Sequence, residues 1–430
     1  MLILLFGSFT ILCILRVPLA FAMFISSTIA IWAEGDVPLT IISQRIWVGL
    51  NNFPLLAVPF FLITGILMNE TGISNRLINF SQSLVGHLRG GLAHVNVVVS
   101  MIIAGMSGIS SADTWGVGSV LIPAMTKEGY EKGFTAGVTA ASSTLGNIIP
   151  PSVMMIIYAA TGGLSIGGLF MTGIIPGVMI GFGQMGFSYY FAVKHGIGTD
   201  YRFSFKNLLS STKVAIFPLI IPVIIIGGII GGVFTATEAA VITVVYSFVL
   251  SVFYGEFGFG KFYRIIKDCV GLFSLSLFCV AAASLWAWIL AYYNVPQTVV
   301  ASMASTGLLS SKFYVFGFVI LIFLIVGLFM DAIPAILILQ PIIGEFAVQA
   351  GINPYHMGIV VVLTLAIGLI TPPYGLCILI AADLASISIP KAVIGLIPFY
   401  IISLLVVLFT VFFPEVMLFI PRLVMPKFMG

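Results

Sequence analysis

Residues 146–154 read GNIIPPSVM, and residues 368–376 read GLITPPYGL. Each stretch lies within a run apolar enough to span a membrane, and each carries two adjacent prolines. A proline inside a helix removes one backbone N–H and sets its ring against the carbonyl one turn back, which costs about 3 kcal/mol. Two in a row argue against an unbroken helix. The sequence therefore predicts two discontinuous helices that stop and restart within the bilayer, one around 146–151 and one around 368–373.

The flanking composition identifies the solvent. Of 430 residues, 60% are hydrophobic and 7% are charged, against about 25% charged in a soluble domain. Apolar runs of about 20 residues, the length that crosses a bilayer, recur from the first residues to about Phe413. This is an all-α polytopic membrane protein with no sizeable soluble domain. The opening MLILLFGSFTILCIL has no basic n-region and runs on into Arg16-Val17-Pro18 without a small-residue cleavage site, so it reads as a first span rather than a signal peptide. Cys13, Cys269, Cys279 and Cys377 show no CxxC spacing, and His87, His94, His195 and His356 form no HExxH pair. Neither set suits a disulfide or a transition-metal cluster. No basic tract suggests nucleic acid as a partner.

Hydropathy and turn residues place spans near 2–32, 45–70, 133–165, 168–193, 214–234, 236–254, 270–292, 355–387 and 393–413. Residues 90–126 and 313–349 do not fit that scheme. Each has the length of two short helices around a polar or small-residue centre, GMSGISSADTWG in the first and GLFMDAIPA in the second. They read as re-entrant hairpins, which lipid permits only where the tip is buried in protein or faces water. Lysine and arginine then set the orientation, because cytoplasmic loops hold the excess. With 194–213 inside, twelve basic residues fall on that face and only Arg45, Lys312, Arg422 and Lys427 on the other, with Arg16 left in the first span. Hairpin one enters from the cytoplasm and hairpin two from outside.

Internal spacing supports an inverted-topology repeat. Asp113 is followed ten residues later by Pro123, and Asp331 ten later by Pro341. Gly146-x3-Pro150-Pro151 matches Gly368-x3-Pro372-Pro373. From the second proline of each pair, Ala-Ala follows at plus eight and nine, and another proline (Pro176, Pro398) at plus 25. A helix broken at mid-membrane ends in free carbonyls and restarts in free N–H groups, so cation and anion sites lie side by side. Carbonyls around 146–150 and 368–372 are expected to be free for a hard cation, with hydroxyls of Ser107, Ser110, Ser111 and Thr371 completing an oxygen shell that suits Na⁺.

These residues resemble a known family. GMSGISSADTWGVGSVLIPAM, GNIIPPS, FTATEAA at 234–240 and GLFMDAIPAILILQPI, followed by GLITPPYG, are similar to the large membrane subunit of TRAP transporters, the DctM-like permeases, and the likeness runs from FPLLAVPFFLITGILM at 53–68 to the C-terminal IPFY. The resemblance implies an elevator-type, Na⁺-driven importer in the bacterial inner membrane. It also implies two partners, a small four-helix membrane subunit and a periplasmic substrate-binding protein. Two Na⁺ sites follow from it, one with Ser107, Ser110, Gly146 and Pro150, the other with Gly327, Gly368, Thr371 and Tyr374. No organic cofactor and no enzymatic activity are implied. Ile109 stands where the family often has serine.

Other residues admit two readings. Asp113 and Asp331 fit helix N-caps for the second arm of each hairpin and equally fit ion or proton handling within a membrane. Glu238, three residues after Thr235, suits a capping box. Asp383 is expected at the cytoplasmic mouth of its broken helix, within reach of substrate. GMSG at 105–108 also matches the GxSG of intramembrane serine proteases, which need a histidine beside the serine. Apart from Arg16, and Arg45 at the outer edge of its span, no lysine or arginine falls in a predicted span or tip, so an anionic substrate must be held by helix N-termini, hydroxyls, Asn147 and bound Na⁺. The chain is expected to divide into scaffold helices at 1–89, a transport region at 90–193, a loop and scaffold helices at 194–312, and a second transport region at 313–430, with lipid around the whole. The substrate stays open among sialic acid, a C4-dicarboxylate, another sugar acid and a sulfonate, and so does a carrier working without a binding protein.

Overall fold

The computed structural model describes residues 2–198, 201–256, 258–305 and 307–426, and among them every regular element is helical. Lys427, expected on the outer face, lies outside the described residues. The first half contains α1 (Leu2–Ile14), α2 (Leu19–Glu34), α3 (Thr40–Leu50), α4 (Ala57–Glu70), α5 (Ile73–Val85), α6 (Gly91–Ser107), α7 (Ser110–Lys127), α8 (Lys132–Ser143), α9 (Val153–Gly162) and α10 (Ile166–Lys194). The second contains α11 (Phe205–Ile230), α12 (Ala236–Phe253), α13 (Phe259–Tyr292), α14 (Val295–Ser305), α15 (Lys312–Gly327), α16 (Ala332–Gln349), α17 (Pro354–Gly368), α18 (Leu376–Leu384), α19 (Ile389–Phe412) and α20 (Pro414–Val424). The order α6 to α10 recurs as α15 to α19.

Two expected spans are wrong in outline. Residues 2–32 are not one helix: the chain turns at Arg16, with φ 61°, and Pro18 precedes the restart, so α1 and α2 pack against each other. The 13 residues of α1 reach about 20 Å, short of the roughly 30 Å hydrocarbon core. Residues 45–70 likewise divide. Asn51 and Asn52, whose side chains compete with helical hydrogen bonding, end α3, and the element long and apolar enough to cross is Phe53–Glu70. Six such helices occur among the described residues, or seven if Leu277–Tyr292 and Val295–Met303, bent by 62°, count as one. One of the six is α16, the second arm of the second hairpin segment.

Both double-proline breaks are present. A 3₁₀ turn at Thr144–Asn147 follows α8, and α9 begins only at Val153; α17 stops at Gly368 and α18 begins at Leu376. The Pro150–Pro151 and Pro372–Pro373 peptide bonds are cis. These helices form the centre of the molecule: every residue of α8 after Lys132, and every residue of α17 after Pro354, is buried. By contrast, α11 buries one stripe, Ala215, Pro218, Ile221, Ile225 and Ile229, and exposes apolar side chains such as Val223 elsewhere, as a helix facing acyl chains does. The halves meet where α8 crosses α19. A Cβ at Gly137 would stand 2.5 Å from the Gly395 carbonyl oxygen, the close backbone approach that small residues allow between membrane helices.

Candidate functional site

The two hairpins present their tips to the two breaks. In the first, α6 ends at Ser107, Gly108 turns with φ 67°, Ile109 is extended, and α7 starts at Ser110. A Cβ at Gly108 would lie 2.8 Å from the Pro151 carbonyl oxygen, so only glycine fits there without displacing backbone. The second tip runs from Gly327 through a turn to Asp331, whose side chain caps α16 by accepting from the Ala332 N–H at 2.7 Å. The tips hold the restarts by equivalent backbone bonds. The Gly108 carbonyl accepts from the Val153 N–H at 3.3 Å, and the Leu328 carbonyl accepts from the Tyr374 N–H at 3.0 Å.

Asp113 is not an N-cap. Ile109 holds that position, and Asp113 sits three residues inside α7, 1% exposed. Its Oδ1 accepts from the Ser107 hydroxyl at 2.7 Å. Its Oδ2 and the hydroxyl of Ser110 are buried with no hydrogen-bond partner among the described residues. Ser110 and Asp113 are three apart on one helix and so share a face. Gly146 packs directly against them: a Cβ there would come within 2.6 Å of Asp113 Oδ2 and 3.3 Å of the Ser110 nitrogen. Unpaired buried oxygens are costly in protein interiors, and a bound cation would satisfy these.

The breaks themselves are less open than the sequence suggested. The Asn147 carbonyl accepts from the Ser152 hydroxyl at 2.6 Å. In the second half, the carbonyls of Gly368, Leu369 and Thr371 accept from the N–H groups of Thr371, Cys377 and Gly375, each at 3.0 Å. The irregular backbone pairs locally because orphaned groups in lipid are costly. Each carbonyl keeps a second lone pair, so cation contact is still geometrically open. Thr371 Oγ1 donates to Ile367 at 2.7 Å, and Gly327 and Gly368 touch backbone to backbone, a Cβ on Gly368 falling 2.9 Å from the Gly327 Cα.

Between the tips lies a cavity of about 570 Å³, within the range of small-molecule pockets. Ser107, Ser110, Ser111, Asn147 and Asp331 line it, drawn from both halves. Gly146, Pro150 and Asp113 stand behind the first tip, and Gly327, Gly368, Thr371 and Tyr374 behind the second. Asp383 is exposed near the end of α18 and does not line the cavity. No lysine or arginine lines it among the described residues.

Sequence reasoning missed the outer wall. Val58, Leu62, Gly65 and Ile66 of α4, with Trp115, Phe273 and Cys377, also line the cavity. Gly65 was the available signal, because a Cβ there would stand 3.0 Å from Ser107 Cβ, the approach of α4 to the tip. Trp115, 57% exposed beside the serines, was the other, its ring being both apolar and a hydrogen-bond donor. The serine in GMSG faces a carboxylate rather than a histidine, since Ser107 donates to Asp113 while His94 and His356 bond to the carbonyls of Arg89 and Thr410.

Residues 6–416 match the family described as tripartite ATP-independent periplasmic transporter, DctM component. The chain belongs to the DctM family. It is similar to the uncharacterized protein YgiK of Salmonella typhimurium, 38% identical over 99% of this chain and 98% of the relative. It is also 34% identical to the sialic acid TRAP transporter large permease protein SiaM of Vibrio cholerae, over 94% of this chain and 95% of that one. Among solved structures, the Alcanivorax borkumensis YdaH transporter shares the fold with a TM-score of 0.63 at 16% identity, covering 88% of this chain and 89% of YdaH. Within the DctM family this chain is a polytopic DctM component of a tripartite ATP-independent periplasmic transporter.

Proposed function

We propose that this chain is the transport subunit of a Na⁺-coupled importer for a small organic anion in the bacterial inner membrane, fed by a periplasmic binding protein and completed by a small membrane subunit. The observation that carries the reading is a pair of buried oxygens, Asp113 Oδ2 and Ser110 Oγ, unpartnered among the described residues, beside a cavity bordered by both halves and, among those residues, by no cationic side chain. An anion entering such a cavity lacks a counter-charge until a cation is present. Na⁺ held behind the first tip by Ser107, Ser110, Asp113, Gly146 and Pro150, and behind the second by Gly327, Gly368, Thr371 and Tyr374, supplies it.

Coupling then follows from Coulomb attraction at low dielectric, where a cation a few ångströms away is worth several times its effect in water. Na⁺ binds first and the anion second, against Ser111, Asn147 and Asp331. Loss of Na⁺ to a low-sodium cytoplasm weakens the anion's hold and releases it. The hairpins act as re-entrant gates, and the regions 90–193 and 313–430 move together as an elevator against scaffold helices in 1–89 and 194–312.

Reconstitution with both partners tests this. Uptake of a candidate anion should require an inward Na⁺ gradient and fail with K⁺. Uptake sustained by a pH gradient without Na⁺ would remove the Na⁺ assignment, and uptake without the binding protein would point to a self-sufficient carrier.

A further inference from the structure

A second cavity, of about 360 Å³, lies away from the tips, between α5 and the start of α11. Arg76, Asn79 and Gln82 border it from α5, and Asn207, Ser210 and Ser211 from α11. Residues 76, 79, 82 and 83 are spaced to share one face of α5. That polar face is turned toward a neighbouring transmembrane helix rather than only to bulk water, and Ser83 and Ser211 join the two helices by a 2.6 Å hydroxyl bond. Arg76 is held in position. Its Nη1 donates to the carbonyl of Gly72 at 3.2 Å, and the guanidinium lies 3.7 Å from the Tyr254 ring centroid.

The chemistry of the lining selects an anion. Among the described residues it offers one guanidinium, several side-chain amides and several hydroxyls, and no carboxylate. Arg202, Lys206 and Lys213 lie in the same segment of chain. The depth selects a lipid. The 26 residues of α11 reach about 39 Å, roughly 9 Å beyond the hydrocarbon core. Its polar first turns therefore stand at headgroup level. Further along α11, Val214, Phe217 and Ile220 are 46%, 43% and 36% exposed, an apolar ridge at i, i+3 spacing along which an acyl chain can lie.

We propose that this cavity binds the phosphate of an anionic membrane phospholipid, at the leaflet that the Lys and Arg distribution makes cytoplasmic, and ties α5 to α11. Basic pockets between transmembrane helices on that side suit such headgroups. The site is independent of the Na⁺ reading of the tips.

The test uses the detergent-purified chain and titrates phosphatidylglycerol, phosphatidylcholine or inorganic phosphate, reading native mass spectra and the melting temperature. Phosphatidylglycerol should bind at least tenfold more tightly than phosphatidylcholine and raise the melting temperature. Arg76→Gln should erase that preference. Because Arg76 also stacks on Tyr254, Asn79→Asp serves as the second variant: Asn79 is exposed, and an added carboxylate at the rim should expel the phosphate while the fold remains. Arg264→Gln, outside the cavity, should change nothing. Equal binding of the two lipids, or a preference that survives both Arg76→Gln and Asn79→Asp, overturns the site. Inorganic phosphate stabilising as well as phosphatidylglycerol overturns its assignment to a lipid.

Discussion

The two hairpin tips share a sequence spacing and differ in chemistry. At the first, one oxygen of the Asp113 carboxylate and the Ser110 hydroxyl are buried without partners among the described residues, the other carboxylate oxygen accepts from Ser107, and Gly146 makes room for them. At the second, the corresponding carboxylate, Asp331, is engaged as a helix cap, and the space is closed by Gly327 lying on Gly368. The cause is local. Tip one turns within two residues, so α7 starts at Ser110 and Asp113 is carried inside it; tip two turns through Leu328, Phe329 and Met330, so α16 starts one residue after Asp331. The repeat reproduces the backbone frame, while the turn length decides whether the aspartate meets helix N–H groups or a neighbouring oxygen cluster. The first tip leaves a carboxylate oxygen unsatisfied, and the second spends its aspartate on fixing the turn.

Breaking the shape should have the largest effect. A Cβ at Gly368 meets the Cα of Gly327, and backbone cannot swing aside as a side chain can. Gly368→Ala should destabilise the protein by about 1–3 kcal/mol, as overpacking does, and abolish reconstituted uptake. Gly146→Ala meets the Asp113 carboxylate first, at 2.6 Å, with the backbone of Ser110 and Ile109 at 3.3 and 3.4 Å. It should leave the melting temperature in Na⁺-free buffer within a few degrees while weakening Na⁺ binding. If both variants unfold alike, the distinction between the tips fails.

Removing the charge comes next. Asp113→Asn keeps an acceptor for the Ser107 hydroxyl but carries no formal charge. Its apparent Na⁺ affinity should fall tenfold or more, about 1.4 kcal/mol, read from the Na⁺-dependent rise in melting temperature that ligand binding produces. An unchanged Na⁺ titration would leave Asp113 as a structural acceptor only. The restarts differ too. Ser152 caps α9 by accepting from the Met155 N–H at 3.2 Å, whereas α18 has Gly375 at its N-cap position and no side-chain cap. Ser152→Ala should lower stability by about 1 kcal/mol with the Na⁺ response retained, measured by denaturant unfolding in micelles.

How much of this could be read in advance follows the same division between backbone and side chain. Double prolines, paired glycines and the Thr235-x-x-Glu238 capping box act within a few residues, so both breaks and the box were legible, and the box is present with both of its bonds. The division of residues 2–32 at Arg16, the separate α3 and the helices α14 and α20 were not. Apolar composition continues through each of those joints, and hydropathy averages over them. Within the site, serines and glycines at the tips were legible as a group. The burial of Asp113 against Gly146, and the α4 wall with Gly65, depend on contacts between segments distant in sequence, which spacing alone does not encode. The expected free carbonyls were overstated for a related reason: a broken helix in lipid recruits whatever nearby donor can reach, here Ser152 and the N–H groups of Thr371, Gly375 and Cys377.

The smallest effect is the sharpest control on the comparison. Asp331 lines the cavity, as Ser107 does, yet one of its oxygens already accepts from the Ala332 N–H. Asparagine caps helices about as well as aspartate. Asp331→Asn should therefore change stability by only a few tenths of a kcal/mol and leave the Na⁺ titration within about threefold of wild type, whereas Asp331→Ala should cost about 1 kcal/mol through the lost cap. A tenfold loss of Na⁺ affinity in Asp331→Asn would mean that the second tip also works through charge. In that case the two aspartates, already matched in sequence, would be matched in function, and the turn length that separates their surroundings would have no consequence for ion binding.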